Sequence, residues 1–358
     1  MKRASSPGRE ELSTAHQGGH AVDDPKTRRQ HRDRAHGLFT RSDHVLAIIT
    51  PGGESAIMEI EPPGGTAQRA GRRVVYLDQG HWGSLARRVS DPGSVTQEES
   101  AAADKLIGWA RDRRIVLPLS SGHVVETTPL YAAKRQRLAL TMLQLSCGWH
   151  MRNPVLVRRD EIAQVLASAE PVPGRRRPEV FAPDADGLFA TPAPPEPELA
   201  GLPGYLNWLC ARLTAVAANF DLLMDPQRIE PVKTTGWCDE MTTLGRDAQF
   251  QALPTARRRA AGIRALMDAV YDKPVLDLLQ RSGQSPEDAA TVLLQGLQAS
   301  TDTMPFLRLY ADAVSVRLLN RARWELNDLI DMLYLACAAA YADAVAAERA
   351  AARYLGTA

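Results

Sequence analysis

Six carboxylates carry the chemistry that this sequence suggests. Asp78 ends the apolar run Arg73–Leu77, and Glu126 follows Val124 and Val125. Asp328 and Asp331 open an apolar segment far along the chain, and Asp343 and Glu348 bracket the short run Ala344-Val345-Ala346-Ala347. Asp328 and Asp331 are three apart, so both project from one side of a first helical turn. Acids at a helix N-terminus are favoured by the macrodipole, and that alone would account for one pair. Acids at the ends of several buried elements ask for more. Their oxygens are hard ligands of the kind that Mg²⁺ or Mn²⁺ takes. Two such ions about 4 Å apart activate a water and stabilise the leaving oxygen of a phosphodiester displacement.

The elements that must position these acids are legible in the spacing. Arg73–Leu77 is a short, β-branched apolar run, which predicts a buried parallel strand with Asp78 at its C-terminal tip. Thr96 and Glu99 form a capping-box signature that opens a helix to about 113, with Leu106, Ile107 and Trp109 inward. Ile115–Leu119 predicts a second strand. Ser120 and Ser121 then cap a helix that carries Glu126. A helix over about 130–147 follows, and Val155–Val157 predicts a third short strand. Strands alternating with helices indicate a parallel α/β sheet, whose ligands bind beyond the carboxyl ends of its strands.

From about 168 to 203 the chain is rich in proline, which predicts a loop. Helices are expected over about 204–224, 237–250 and 254–272, from Ser285-Pro286, and over about 305–320. The closing helix starts at Asn327 or Asp328, and the short strand between Asp343 and Glu348 follows it.

Taken in order, Tyr76-Leu77-Asp78, the later Val124-Val125-Glu126, the Asn327-Asp328-x-x-Asp331 helix and the Asp343-to-Glu348 strand resemble the PIN-domain nucleases. The resemblance covers roughly 73–160 and 303–355. It implies a PIN-like three-layer α/β/α sandwich around a central parallel sheet, here with a large, mostly helical insertion. It also implies an acidic pocket that binds Mg²⁺ or Mn²⁺ and cuts RNA, in some members DNA, with an antitoxin or other regulatory protein as partner. Asp78, Glu126, Asp331 and Glu348 match the family's catalytic, metal-binding acids, and Asp328 and Asp343 stand as supporting ligands. Two departures are plain. The family more often has Asp where Glu348 stands, and commonly a small hydroxyl residue where Gln79 follows the first acid.

The implied organisation is a disordered tail over 1–70, a first part of the PIN-like domain over 71–160, a proline-rich loop and helical insertion over 161–302, and a second part over 303–358. The first 70 residues hold five of the eight histidines, irregularly spaced, and show no sustained periodicity. His44–Thr50 is the one patch there expected to order. His81 and His123 lie three residues from Asp78 and Glu126 and are expected to play structural or substrate-contacting parts. Trp82 is expected in the core, as are Tyr205, Trp208, Phe220 and Trp237.

Other chemistries lack their signatures. No G-x-S-x-G elbow surrounds Ser120, and no P-loop or G-x-G-x-x-G follows a strand. Cys147, Cys210, Cys238 and Cys337 are scattered, without a C-x-x-C pair, so reduced thiols and a cytoplasmic location are expected. No run approaches the roughly 18 apolar residues of a membrane span. The net charge of +1 creates no global field for a nucleic acid. Any such surface must be local, as at Arg111, Arg113 and Arg114, Arg175–Arg177 or Arg257–Arg259. A non-catalytic binding module on the same fold is the alternative reading.

Overall fold

The structure is a computed structural model that describes residues 36–40, 44–49, 55–60, 71–167, 179–190, 203–224, 235–255, 285–299, 303–321 and 323–349, with a few isolated positions besides. It is an α/β protein dominated by helices. A small parallel sheet has strand order β5-β4-β8, where β4 is Arg73–Leu77, β5 is Ile115–Val116 and β8 is Ala344–Ala346. Val74 is paired with Val116, and Leu77 with Ala346. Beyond β5 the chain reaches Leu119, which bridges to β6 (His150–Met151), and β6 pairs antiparallel with β7 (Phe181–Ala182).

Successive residues of a strand face opposite sides of a sheet, and β4 divides its side chains accordingly. Val74 and Tyr76 enter one core, and Leu77 enters the other. Over the first face of the sheet pack α5 (Pro154–Leu166), α10 (Pro305–Leu319) and α11 (Leu326–Tyr341). Over the second face pack α1 (Gln79–Ser90), α2 (Gln97–Arg111), α4 (Ala132–Ser146) and α6 (Gly204–Met224). The short helix α3 (Ser121–Thr127) leads from β5 toward α4.

Three expectations are corrected. Val155–Val157 is not a strand but the first turn of α5, because Pro154 occupies the first helical position and the Asn153 side chain accepts from the Val155 amide at 3.0 Å. Within the supposed tail, β1 (His36–Thr40), β2 (Val45–Ile49) and β3 (Ser55–Glu59) form a three-stranded antiparallel sheet. Leu46, Met58 and Ile60 from it are buried in the second core, and residues 1–35 lie outside the described ones. Trp109 points outward, 39% exposed, with the Arg114 guanidinium 5.8 Å from its ring.

The helices expected over 161–302 pack against the sheet. Cys238 and Met241 of α7 (Thr235–Arg246), Phe250 of α8 (Ala248–Ala252), and Leu293 and Leu297 of α9 (Pro286–Ala299) share the first core with the sheet. The Arg175–Arg177 cluster and most of the helix expected over 254–272 fall outside the described residues. Among the described residues, no helix is long and apolar enough to cross a membrane.

Candidate metal centre

Strand β4 delivers Asp78 to the carboxyl edge of the sheet. The Asp78 amide donates to the Ala346 carbonyl at 2.9 Å, which aligns it with the end of β8. Its side chain accepts from the Gln79 amide at 2.8 Å and starts α1. Glu126 arrives on α3, whose seating depends on His123. The His123 Nδ1 accepts from the Ser120 amide at 3.1 Å, so the proton sits on Nε2, which donates to the Leu77 carbonyl at 2.8 Å. The imidazole is fully buried and stacked on Tyr76, and burial lowers its pKa to about 4, so it stays neutral. His123 is therefore a strut that joins the Glu126 helix to the residue before Asp78.

Asp331 comes from the second turn of α11. One turn further on, the Tyr334 hydroxyl and Ser121 Oγ are hydrogen-bonded at 2.7 Å, which ties α11 to the start of α3. The same contact explains Gly122. A Cβ there would lie 2.9 Å from Tyr334 Cδ2, so a side chain would push the two helices apart. A third tie joins the residues that directly follow two of the acids: the Gln79 amide group donates to Thr127 Oγ1 at 2.9 Å. The length of the Gln79 side chain lets it span from the start of α1 to the end of α3.

These ties bring Asp78, Glu126 and Asp331 together, each offering a carboxylate oxygen within 4.8 Å of the other two. All three are partly buried. Burial raises the Glu126 pKa to about 8, and the charges of Asp331, Asp78 and Glu348 push it the same way. Asp331 is raised to about 6, first by burial and then by Asp78, Asp328 and Glu348, with Arg317 opposing. Three carboxylates this close are mutually repulsive without a cation between them. The donor set is all hard oxygen from three separate elements, which fits Mg²⁺ or Mn²⁺.

The other predicted acids are placed differently. Glu348 lies two residues beyond β8, exposed at the rim. Its Oε1 is 3.8 Å from where a Cβ on Gly80 would stand, and its charge reaches Glu126 and Asp331. Asp328 is not among the converging acids. It pairs with the Arg317 guanidinium and accepts from the Glu325 amide at 2.8 Å, so it caps α11. Asp343 is at the wrong end of its strand. It accepts from the Val74 amide at 2.7 Å, near the start of β4, while Asp78 lies past its end. His81 is likewise outside the cluster, and Trp82 is fully buried.

Residues whose part in joining the acids the spacing did not reveal are Gln79, Thr127, Ser121 and Tyr334. The signal available was adjacency, since Gln79 follows Asp78 and Thr127 follows Glu126. Their pairing joins positions 48 apart, which one sequence does not reveal. Comparison of the chain with protein-family models, with curated proteins and with solved structures gave no match.

Proposed function

We propose that this chain is a metal-dependent nuclease of the PIN-like kind, an endonuclease that hydrolyses RNA, with DNA as the alternative substrate. The observation that carries this reading is the meeting of Asp78, Glu126 and Asp331 within 4.8 Å. The parallel sheet with helices on both faces, and the position of the acids beyond the carboxyl edge of β4, agree with it.

In this reading Asp78, Glu126 and Asp331 would hold Mg²⁺ or Mn²⁺, with Glu348 at the rim near Gly80. A cation held there would supply a Lewis acid and would bring the pKa of a bound water toward neutrality. The protein's own part is alignment. His123, the Gln79–Thr127 pair and the Tyr334–Ser121 pair fix the three acids before any ligand arrives, so little reorganisation accompanies binding. Glu126, whose carboxyl is raised to about 8, would have to give up its proton to serve as a ligand.

The test is hydrolysis of labelled RNA and DNA in Mg²⁺ or Mn²⁺ by wild type, Asp78→Asn and Asp331→Asn. Each substitution should lower the rate by more than the roughly 10–100-fold that loss of an outer-shell partner costs. Equal rates in all three proteins would remove the nuclease reading and leave the binding module.

A further inference from the structure

The segment over 179–190 lies inside the proline-rich stretch, and its backbone fastens it to the rest of the molecule. Its strand β7 pairs with β6, and the Arg152 amide donates to the Val180 carbonyl at 2.8 Å. The Asn153 amide donates to the Gly187 carbonyl at 2.6 Å. An Asp184–Arg212 ion pair at 2.7 Å holds the same segment to α6. Val180, Phe181 and Leu188 are its buried side chains.

Asn153 is where this fastening meets the acid cluster. The residue is 7% exposed, and both ends of its side-chain amide are in use. Oδ1 accepts from the Val155 amide at 3.0 Å and so caps α5. Nδ2 donates to the Leu188 carbonyl at 3.1 Å and to Ser121 Oγ at 3.2 Å. A carbonyl can only accept, so the side-chain amide cannot be turned the other way. Both Nδ2 hydrogens are then committed, and Ser121 Oγ is an acceptor toward Asn153. The Ser121 hydroxyl hydrogen is left for the Tyr334 oxygen, 2.7 Å away. The donors therefore run in one direction, from Asn153 through Ser121 to Tyr334, and bonds in such a chain polarise one another.

The cap on α5 needs only Oδ1, and a serine oxygen would serve it as well. The donating end answers a different need. It fixes the hydroxyl of Ser121, the residue of α3 that meets α11 one turn from Asp331. Glu126 and Asp331 belong to these two helices, so the contact governs how the two carboxylates lie.

We infer that Asn153 is a positioning residue for the acid cluster, and that it couples the segment over 179–190 to the placement of Glu126 and Asp331. The inference rests on the cation site of the reading above and needs no cleavage. Such coupling is reciprocal: a filled site steadies the segment, and a displaced segment loosens the site.

The experiment titrates the full chain with Mn²⁺ by calorimetry and follows amide hydrogen exchange by NMR. Asn153→Ser keeps an oxygen for the cap and removes the Nδ2 donors, whereas Asn153→Ala removes both. Each should weaken Mn²⁺ binding about fivefold, the worth of roughly one hydrogen bond, and Asn153→Ala should melt at the lower temperature of the two. Ser121→Ala should weaken Mn²⁺ binding by a similar factor. Asn153→Ser/Ser121→Ala should weaken it no more than either change alone, because the groups act as one chain. Saturating Mn²⁺ should slow exchange at the Arg152 and Asn153 amides in wild type and leave it unchanged in Asn153→Ser. Wild-type Mn²⁺ affinity in Asn153→Ser, losses that multiply in the double variant, or exchange that Mn²⁺ slows equally in both proteins would overturn the coupling and leave Asn153 a helix cap. A chain that shows every expected effect and cuts neither RNA nor DNA would keep the coupling and remove the nuclease. Should wild type take up no Mn²⁺, the cation reading is removed and exchange in EDTA decides the coupling. There Asn153→Ser should speed exchange of the Val124–Thr127 amides, and unchanged rates would overturn it.

Discussion

Two glutamates show what burial means at the scale of single residues. Glu161 is 1% exposed and surrounded by donors: the Phe306 and Leu307 amides at 2.9 and 3.0 Å, and the Tyr341 hydroxyl at 2.5 Å. Burial raises its pKa to about 7 while those hydrogen bonds pull it down, and the residue does structural work at the N-terminus of α10. Glu126 is surrounded by acids instead, which raise it further. In the unfolded chain a glutamate releases its proton near pH 4.3, so between there and about 8 the folded chain holds more protons. Stability in chelator is then greatest at low pH within this window and falls as pH rises toward 8. Asp331 and Glu161 act with the same sign. Glu126→Gln should therefore flatten, without abolishing, the decline in melting temperature between pH 5 and pH 8. Mn²⁺ at 100 times its Kd should raise wild-type stability by about 2.7 kcal/mol and leave the triple-acid site no reason to favour low pH. A scan in which Glu126→Gln follows the wild-type slope would refute this origin of the pH dependence.

At the scale of elements, the sequence reported helices and strands wherever a local signal stood alone. The apolar run of β4, the Thr96–Glu99 capping box and the Pro305 start of α10 were all readable for that reason. Reading failed where two signals competed. At Val155–Val157 the apolar run suggested a strand, but Asn153-Pro154 is a stronger helix start. In β1–β3 the strands are short and partly exposed amid polar sequence, so burial against α4 had no local mark. For Asp343 the parallel direction of β8 was legible, and its consequence was the part missed: a residue that precedes a parallel strand lies at the edge opposite Asp78. The Asp78, Glu126 and Asp331 positions were readable from order and spacing, whereas the struts that hold them were not. Those struts are testable through Gly122→Ala. The added Cβ, 2.9 Å from the Tyr334 ring, should cost about 1–3 kcal/mol by overpacking and also weaken Mn²⁺ binding. Ser121→Ala, which removes one hydrogen bond of roughly 1 kcal/mol without crowding, should be milder on both counts. Urea unfolding and calorimetric Mn²⁺ titration separate the effects; an unaltered Mn²⁺ affinity in Gly122→Ala would refute the coupling between helix spacing and the acids.

At the scale of the molecule, two cores back onto one small sheet, and the antiparallel sheet of β1, β2 and β3 closes the second of them. Its attachment is specific. The Glu59 amide donates to the Cys147 carbonyl at 2.8 Å, and the Glu59 carboxylate accepts from both Arg72 and the Trp149 indole. Gly148, at φ 83°, lets the chain pass so close to β3 that a Cβ would lie 2.8 Å from the Glu59 carbonyl oxygen. Deleting residues 1–60 would uncover the partners of Leu46, Met58 and Ile60, at about 1.5–3 kcal/mol for each side chain. The shortened chain should melt well below wild type and aggregate in thermal scans, and a deletion that leaves the melting temperature unmoved would show the first core to be sufficient alone.

The pairing of β8 with β4 has a consequence for synthesis. Val74 and Asp343 meet across 269 positions, and the third acid of the cluster is encoded almost as late as that last strand. A polypeptide leaving the ribosome presents Asp78 and Glu126 long before Asp331 exists. The acid cluster is thus completed only after most of these residues have been made, and a product that terminates before Asp331 carries two of the acids but lacks the third.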